Sequence, residues 1–300
     1  MTPRQTEMRH SRAQGFDLLA PEEALMILAQ AQAAAADTVQ TAVPQIAQAA
    51  DVMAQTISGT GRIIYAAAGS SGLMAMADAL ELPGTFGIDR SRIKILFAGG
   101  LNALAALEGG PEDDIEAARR DVEQAGVGPG DCLLALTASG STPYPLMAAE
   151  TARRAGARTI GISTNADVPL FKKVDIAICL PTPPEVIAGA TRMGAGTAQK
   201  IALNMMSTLM AVRLGHVHDG FMVNVVADNI KLRQRAQGIV AAISGVDEAA
   251  ASEALDATGG AVKLAVLIAA GAASVEDARG MLNQSGGQLR PALDALARLA

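Results

Sequence analysis

Aromatic residues make up only 2% of this 300-residue chain, and tryptophan is absent. The core must then be built from Ala, Leu, Ile, Val and Met, a set that suits helices packed closely on a sheet. Few aromatic faces also means few stacking platforms for single-stranded nucleic acid. Runs of Lys or Arg are missing, the formal net charge is −6 and the isoelectric point is near 5.2, which argues against nucleic acid as a partner. An anionic ligand would need local donors, because the overall field does not attract it. No apolar run reaches the roughly 18 residues that a membrane span needs, and the richest segment, 264–273, is too short, so no membrane partner is expected. Only two cysteines occur, Cys132 and Cys179, both inside apolar runs. They read as buried free thiols and fit a reducing compartment. The polar N-terminus lacks an apolar signal core, so the expected location is the cytoplasm.

What is present is apolar material for a sizeable core, with 50% hydrophobic and 18% charged residues. Residues 1–20 read as an extended arm. Pro21, followed by Glu22 and Glu23, opens a helix, since proline fits a first turn and acids suit the positive helix end. Ala-rich helical patterns run to about Ser58, where Gly59 and Gly61 break them. Apolar runs that read as strands follow: Arg62 to Ala67, Ile93 to Phe97, Cys132 to Thr137, Thr159 to Ile162 and Ile176 to Leu180. Helical stretches and short Gly/Ser turns separate them. The alternation predicts an α/β fold whose doubly wound parallel sheet is covered by helices on both faces. Beyond Pro183 and Pro184 the pattern is helical, with long helices over Thr197 to Leu214 and Asn229 to Ser244. The tail from Gly245 shows three short helical patterns split by Gly259-Gly260 and Gly286-Gly287. The expected organisation is an N-terminal arm and helices over 1–58, a central α/β domain over 59–244 and a small helical region over 245–300. The apolar surface of the helix from Thr197 to Leu214 exceeds what one small core needs, which predicts a symmetric homodimer.

Two strands run into loops of one kind, Gly69-Ser70-Ser71-Gly72 and Ser139-Gly140-Ser141-Thr142. Ligands of open α/β sheets sit outside the carboxyl ends of the strands. Each loop offers backbone N–H groups, hydroxyls and a following helix N-terminus, so each suits a phosphate. Neither has the Lys of a P-loop or the glycine spacing of a dinucleotide fingerprint. One such loop alone is an ordinary strand-to-helix turn capped by Ser or Thr. Two together favour a phosphomonoester site.

Acidic residues come next. Glu81 lies late in a helix, where an acid opposes the macrodipole, and apolar residues flank it. This predicts a partly buried carboxyl group that holds its proton tightly. Glu112 opens the cluster Glu112-Asp113-Asp114. It reads either as a solvated helix start, where the macrodipole favours the charged form, or as the partner of Glu81 in an acid–base pair. Between Glu185 and Lys200, Glu, Thr, Arg and several glycines crowd ahead of a long helix. Glu185 and Arg192 are candidate substrate-binding residues there, since Arg can grip a carboxylate or phosphate bidentately. The alternative is a loop with a helix N-cap. His216 and His218 have a metal-like spacing without a third ligand, so a surface turn is expected and no metal.

In order along the chain, Thr6-Glu7-Met8-Arg9, Ala68 to Gly72, Glu81 to Gly87, Glu112 to Asp114, Ala138 to Tyr144, Arg192 to Lys200 and Asn229 to Leu232 resemble the N-acetylmuramic acid 6-phosphate etherase family, within the sugar isomerase (SIS) domain group. The resemblance covers nearly the whole length. It implies a SIS domain with a small helical C-terminal region, a homodimer with the active site near the subunit interface, and no metal or organic cofactor. It implies a sugar-phosphate substrate from which D-lactate is eliminated. It places the proton donor on Glu81 and the second catalytic glutamate on Glu112, and the phosphate loops on Ser70-Ser71 and Ser139 to Thr142. Three basic residues usual in the family are replaced here by Leu73, Ser141 and Gly194. Their loss points to weaker binding or altered specificity for a substrate with two anionic groups. A lyase or isomerase acting on another amino-sugar phosphate, or a non-catalytic sugar-phosphate sensor, remains open, although a sensor needs neither glutamate.

Overall fold

A computed structural model of the chain describes residues 5–107, 109–227 and 229–298; the first four residues of the arm lie outside them. The chain forms two compact units, Met1–Leu80 with Ser91–Ser207, and Glu81–Arg90 with Thr208–Ala300.

In the first unit, α1 (Pro21–Asp37) begins with proline in its first turn, and α2 (Val43–Ser58) ends at Gly59, as the breakers require. The next elements are β1 (Ile63–Ala67), α3 (Gly69–Phe86), β2 (Ile93–Phe97), α4 (Ile115–Gln124), β3 (Cys132–Leu136), α5 (Pro143–Arg154), β4 (Arg158–Ser163), β5 (Ile176–Cys179) and α6 (Gly194–Arg213). The five strands are parallel, in the order β2-β1-β3-β4-β5. Ile63 lies between Ile93 and Cys132 in the register. β1 and β3 are buried along their length, which is why they read as unbroken apolar runs.

Alternate residues Ile64, Ala66, Leu133 and Ala135 share a core with Ala118 and Val122 of α4 and Ala148 and Ala152 of α5. On the other face α2 packs against β1, β3 and β5. There the Tyr65 hydroxyl donates to buried Asp78 of α3 (2.8 Å), whose other oxygen accepts from Asn204 (2.9 Å) and Ser207 (2.8 Å) of α6. From β1 the chain moves outward to β2, then crosses back over β1 to reach β3. Right-handed crossovers in opposite directions put α3 and α4 on opposite faces. The segments leaving β1 and β3 therefore diverge at the carboxyl ends of neighbouring strands, the switch point at which open sheets bind ligands.

The opposite end of the sheet is tied by Asp131. Its carboxylate accepts from the Arg62 amide (2.7 Å), Arg62 Nη2 (2.7 Å) and the Gly128 amide (3.1 Å). Burial pushes this carboxyl up, but the Arg62 and Gly128 hydrogen bonds outweigh it and hold it below its ordinary value. A lowered folded value adds stability that is present above the unfolded pKa and lost as pH falls through the folded one. Asp131→Ala is expected to cost about 2–3 kcal/mol at neutral pH, read from urea melts, with the difference from the parent shrinking in acid. An unchanged midpoint would refute this.

The second unit is helical. A two-strand hairpin, β6 (Val217–His218) with β7 (Phe221–Met222), precedes α7 (Ile230–Ser244), which packs on α8 (Glu248–Ala257) and α9 (Val262–Ala269). α10 (Val275–Gln284) and α11 (Leu289–Ala297) follow. Among the described residues the tail thus holds four helices, not the three expected. Gly271 at φ +109° ends the segment after α9, and the Ser274 side chain caps α10 by accepting from the Asp277 amide. The histidines do not form a surface turn either: His218 is buried in the hairpin. The α6 face expected to be surplus is consumed inside the chain, where Ala198, Ala202, Leu203, Met206 and Met210 are fully buried. Cys132 is buried, its thiol pushed up to about 12 mainly by desolvation, and Cys179 is half-buried; both are free.

Candidate active site

Where β1 ends, Gly69 turns the chain with φ +50°, and α3 begins at once, with Ser70 and Ser71 in its first turn. First-turn amides have no partner within the helix and point outward. Where β3 ends, Thr137, Ser139, Ser141 and Thr142 gather their hydroxyls. Thr137 bonds Thr142 (2.8 Å) and Ser139 (3.2 Å), and Ser139 bonds Ser141 (3.2 Å). Thr142 stands at the N-cap of α5 but makes no side-chain cap bond. Its hydroxyl belongs to the cluster, which separates this loop from an ordinary capped turn.

The cluster is held from behind. Ser163, Thr164 and Asn165, at the end of β4, all donate to the Ala138 carbonyl at 2.9–3.1 Å. That fixes the loop in which Ser139 stands. Together the two loops border a cavity of about 340 Å³, lined by Gly69, Ser70, Ser71, Thr137, Ser139 and Thr142, with Glu112, Glu7, Leu107, Gly189 and Thr191 completing its walls. Gly72, Gly140 and Ser141 do not line it. Gly72 backs onto Phe97, Gly140 onto Val168, and Ser141 supports Ser139.

Glu112 lies directly over Gly69: a β-carbon placed there would meet its Oε1 at 2.5 Å. Glycine also suits the positive φ there, and a side chain at this position would push the Glu112 carboxylate aside. Glu112 sits on a short 3₁₀ turn, Gly110–Asp113, and not at the α-helix start expected. The residue that caps α4 is Asp114, accepting from the Ala117 amide at 2.8 Å. Glu112 therefore stands outside α4, ahead of its cap. Burial raises its pKa above the ordinary glutamate value, and neighbouring Asp113 raises it further.

Other expected residues fall elsewhere. Glu81 is exposed on α3, which continues through Pro83 to Phe86, so the partly buried carboxyl group expected there is not found. Glu185 is buried, and its two oxygens accept from the Gly194 (3.0 Å) and Ala195 (2.9 Å) amides. It caps α6, the alternative its loop leaves open. Arg192 is exposed; its neighbour Thr191 lines the cavity instead. Thr137 and Glu7 were missed. Thr137 had a signal, as the polar end of an apolar strand, whereas Glu7 had only its place in the arm segment Thr6-Glu7-Met8-Arg9 that carries the family resemblance.

A SIS domain model matches residues 28–164. A protein of Deinococcus radiodurans named N-acetylmuramic acid 6-phosphate etherase is 42% identical over 97% of this chain and 95% of its own length. A protein of the same name from Mycolicibacterium smegmatis is 37% identical over 97% and 98%. The chain belongs to the N-acetylmuramic acid 6-phosphate etherase family. A solved structure from Bacteroides fragilis, described as a phosphosugar isomerase of capsule formation, superposes with TM-score 0.50 at 20% identity, over 67% of this chain and 95% of its own. It bears on the fold alone. Set against the etherase pattern, Gly194 has a local reason. A β-carbon there would lie 3.1 Å from the Ala35 methyl and 3.2 Å from Glu185 Oε2, so any side chain would have to move the capping carboxylate or α1 by a few tenths of an ångström. Among the described residues the cavity wall carries no Lys or Arg, and its anion donors are hydroxyls and amides.

Proposed function

We propose that the chain is a carbon–oxygen lyase that cleaves the lactyl ether of N-acetylmuramic acid 6-phosphate to N-acetylglucosamine 6-phosphate and D-lactate. The observation that carries this reading is etherase-level identity along the whole chain, together with a switch-point cavity that pairs a hydroxyl cluster with Glu112. The phosphate sits on the Ser70-Ser71 turn and the Ser139–Thr142 cluster. In the open-chain sugar the carbon 2 proton is acidified by the neighbouring carbonyl, and Glu112 removes it. The electron pair forms the carbon 2–carbon 3 double bond as the lactate oxygen leaves carbon 3 with a proton from Glu81. Water then adds at carbon 3, and the proton returns to carbon 2. Such a reaction belongs to the reuse of cell-wall amino sugars in the cytoplasm.

The same reading includes a homodimer. The support is an apolar stretch near the start of the chain, where Leu18, Leu25 and Met26 are 84%, 64% and 57% exposed. The cavity wall without cations favours a second reading, a related lyase on an amino-sugar phosphate that lacks the lactyl carboxylate. Incubation with N-acetylmuramic acid 6-phosphate and enzymatic assay of D-lactate separates the two. Stoichiometric lactate is expected. Intact substrate after many enzyme equivalents would leave only the second reading.

A further inference from the structure

The N-terminal arm is part of the site. The Gln5 amide donates to Asn165 Oδ1 at 2.8 Å, and Asn165 Nδ2 reaches the Thr6 hydroxyl at 3.5 Å. Thr6 is buried, and its carbonyl accepts from the Gly189 amide at 3.1 Å. Asn165 is also one of the residues that hold the Ala138 carbonyl behind the hydroxyl cluster. The arm is therefore strapped between the end of β4 and the Gly189 segment, and these ties fix the residue that follows. That residue, Glu7, stands in the cavity wall with Ser70, Ser139 and Glu112. Among the described residues no side chain pairs with its carboxylate.

A carboxylate in a cavity suited to a phosphate is an expensive feature, because like charges repel. A ligand group that donates to the carboxylate turns that repulsion into a favourable contact. Apart from its anionic groups, an amino-sugar phosphate presents hydroxyls and an amide N–H. Hydrogen bonds from such donors to a carboxylate are stronger than neutral ones. We propose that Glu7 is a substrate-contacting specificity residue, accepting hydrogen bonds from the sugar hydroxyl or amide N–H groups, and that the strapped arm exists to hold it there. This rests on the function proposed above, that the ligand is an amino-sugar phosphate. It places the sugar donors on the arm side and directs the lactyl carboxylate away from it.

The contact predicts effects of opposite sign on two ligands. Calorimetric titration of wild type, Glu7→Ala and Glu7→Gln with N-acetylglucosamine 6-phosphate and with inorganic phosphate reads them. For the sugar phosphate, Glu7→Ala is expected to weaken binding roughly 10- to 100-fold, with Glu7→Gln in between. For inorganic phosphate both variants should bind as well as wild type or better, since a repelling charge is gone. In turnover, KM should rise while kcat stays within a few-fold. Glu7 is exposed, so the variants should melt with the parent. Equal sugar-phosphate affinity in Glu7→Ala overturns the proposal, as does parallel weakening of both ligands, which would mark a structural role. Failure of wild type to bind the sugar phosphate overturns it as well. If wild type binds and shows the Glu7 effect but releases no lactate from N-acetylmuramic acid 6-phosphate, the lyase reading fails and the contact stands.

Discussion

Replacement of Glu112 by Gln is expected to reduce lactate release by about 10²–10⁴-fold while leaving the protein as stable as the parent, or more stable, at neutral pH. The two halves of this result share one cause. Glu112 is half-buried over Gly69 and beside Asp113, and both surroundings disfavour its charged form. A carboxyl whose folded pKa is raised contributes stability below its unfolded pKa and loses that contribution as pH rises through the folded value. At neutral pH the ionised group is a burden on the fold, and Gln, which cannot ionise, removes it. The same raised pKa makes Glu112 a stronger proton acceptor than an ordinary carboxylate, as a base at carbon 2 requires. The acid limb of kcat/KM should therefore lie above the ordinary glutamate range. Asp113→Asn should move that limb to lower pH, because it removes one of the raising charges. Exchange of the carbon 2 proton in deuterated water isolates the step. A Glu112→Gln enzyme that still exchanged at the parental rate would assign the base to another group.

The sheet and both loops were legible because their signals are local. Strands buried on both faces leave unbroken apolar runs such as Cys132 to Leu136, and the Gly and Ser residues that follow mark where the chain turns into a helix. Where the structure differs from the sequence reading, the cause is a partner distant in sequence, the exact position of a helix end or the face that a helical residue occupies. Glu185 looked like a ligand-binding acid because nothing near it shows that its oxygens meet amides at Gly194 and Ala195. Glu112 looked like a helix-start residue because the cap, Asp114, stands within the same acidic run. Apolar neighbours of Glu81 suggested burial, but on a helix adjacent residues point in different directions, and Leu82 is buried where Glu81 is exposed. Glu7 lies in a segment that carries the family resemblance, but its place in the cavity depends on Asn165 and Gly189 from far along the chain and could not be read from its neighbours.

Replacement of Glu81 by Gln is expected to abolish lactate release by a similar factor, about 10²–10⁴-fold, while exchange at carbon 2 continues. In the proposed reaction Glu81 is the proton donor, and proton removal by Glu112 precedes the need for one. The enzyme would then open and close the carbon 2–hydrogen bond without expelling the ether oxygen. Where the donor comes from is the sharper question. Glu81 belongs to the second compact unit, whereas the Ser70 turn proposed to hold the phosphate belongs to the first. Glu81 faces solvent. A general acid must come within hydrogen-bond reach of its oxygen. In a homodimer a second copy can bring its own exposed Glu81 to that cavity. Mixing inactive Glu81→Gln and Glu112→Gln subunits tests this directly. A mixed dimer then contains one site with both glutamates intact, so random reassociation should restore about a quarter of parental activity. Light scattering must show dimers for the experiment to count in favour. Dimers that exchange subunits and remain inactive would show instead that each Glu81 serves the cavity of its own chain.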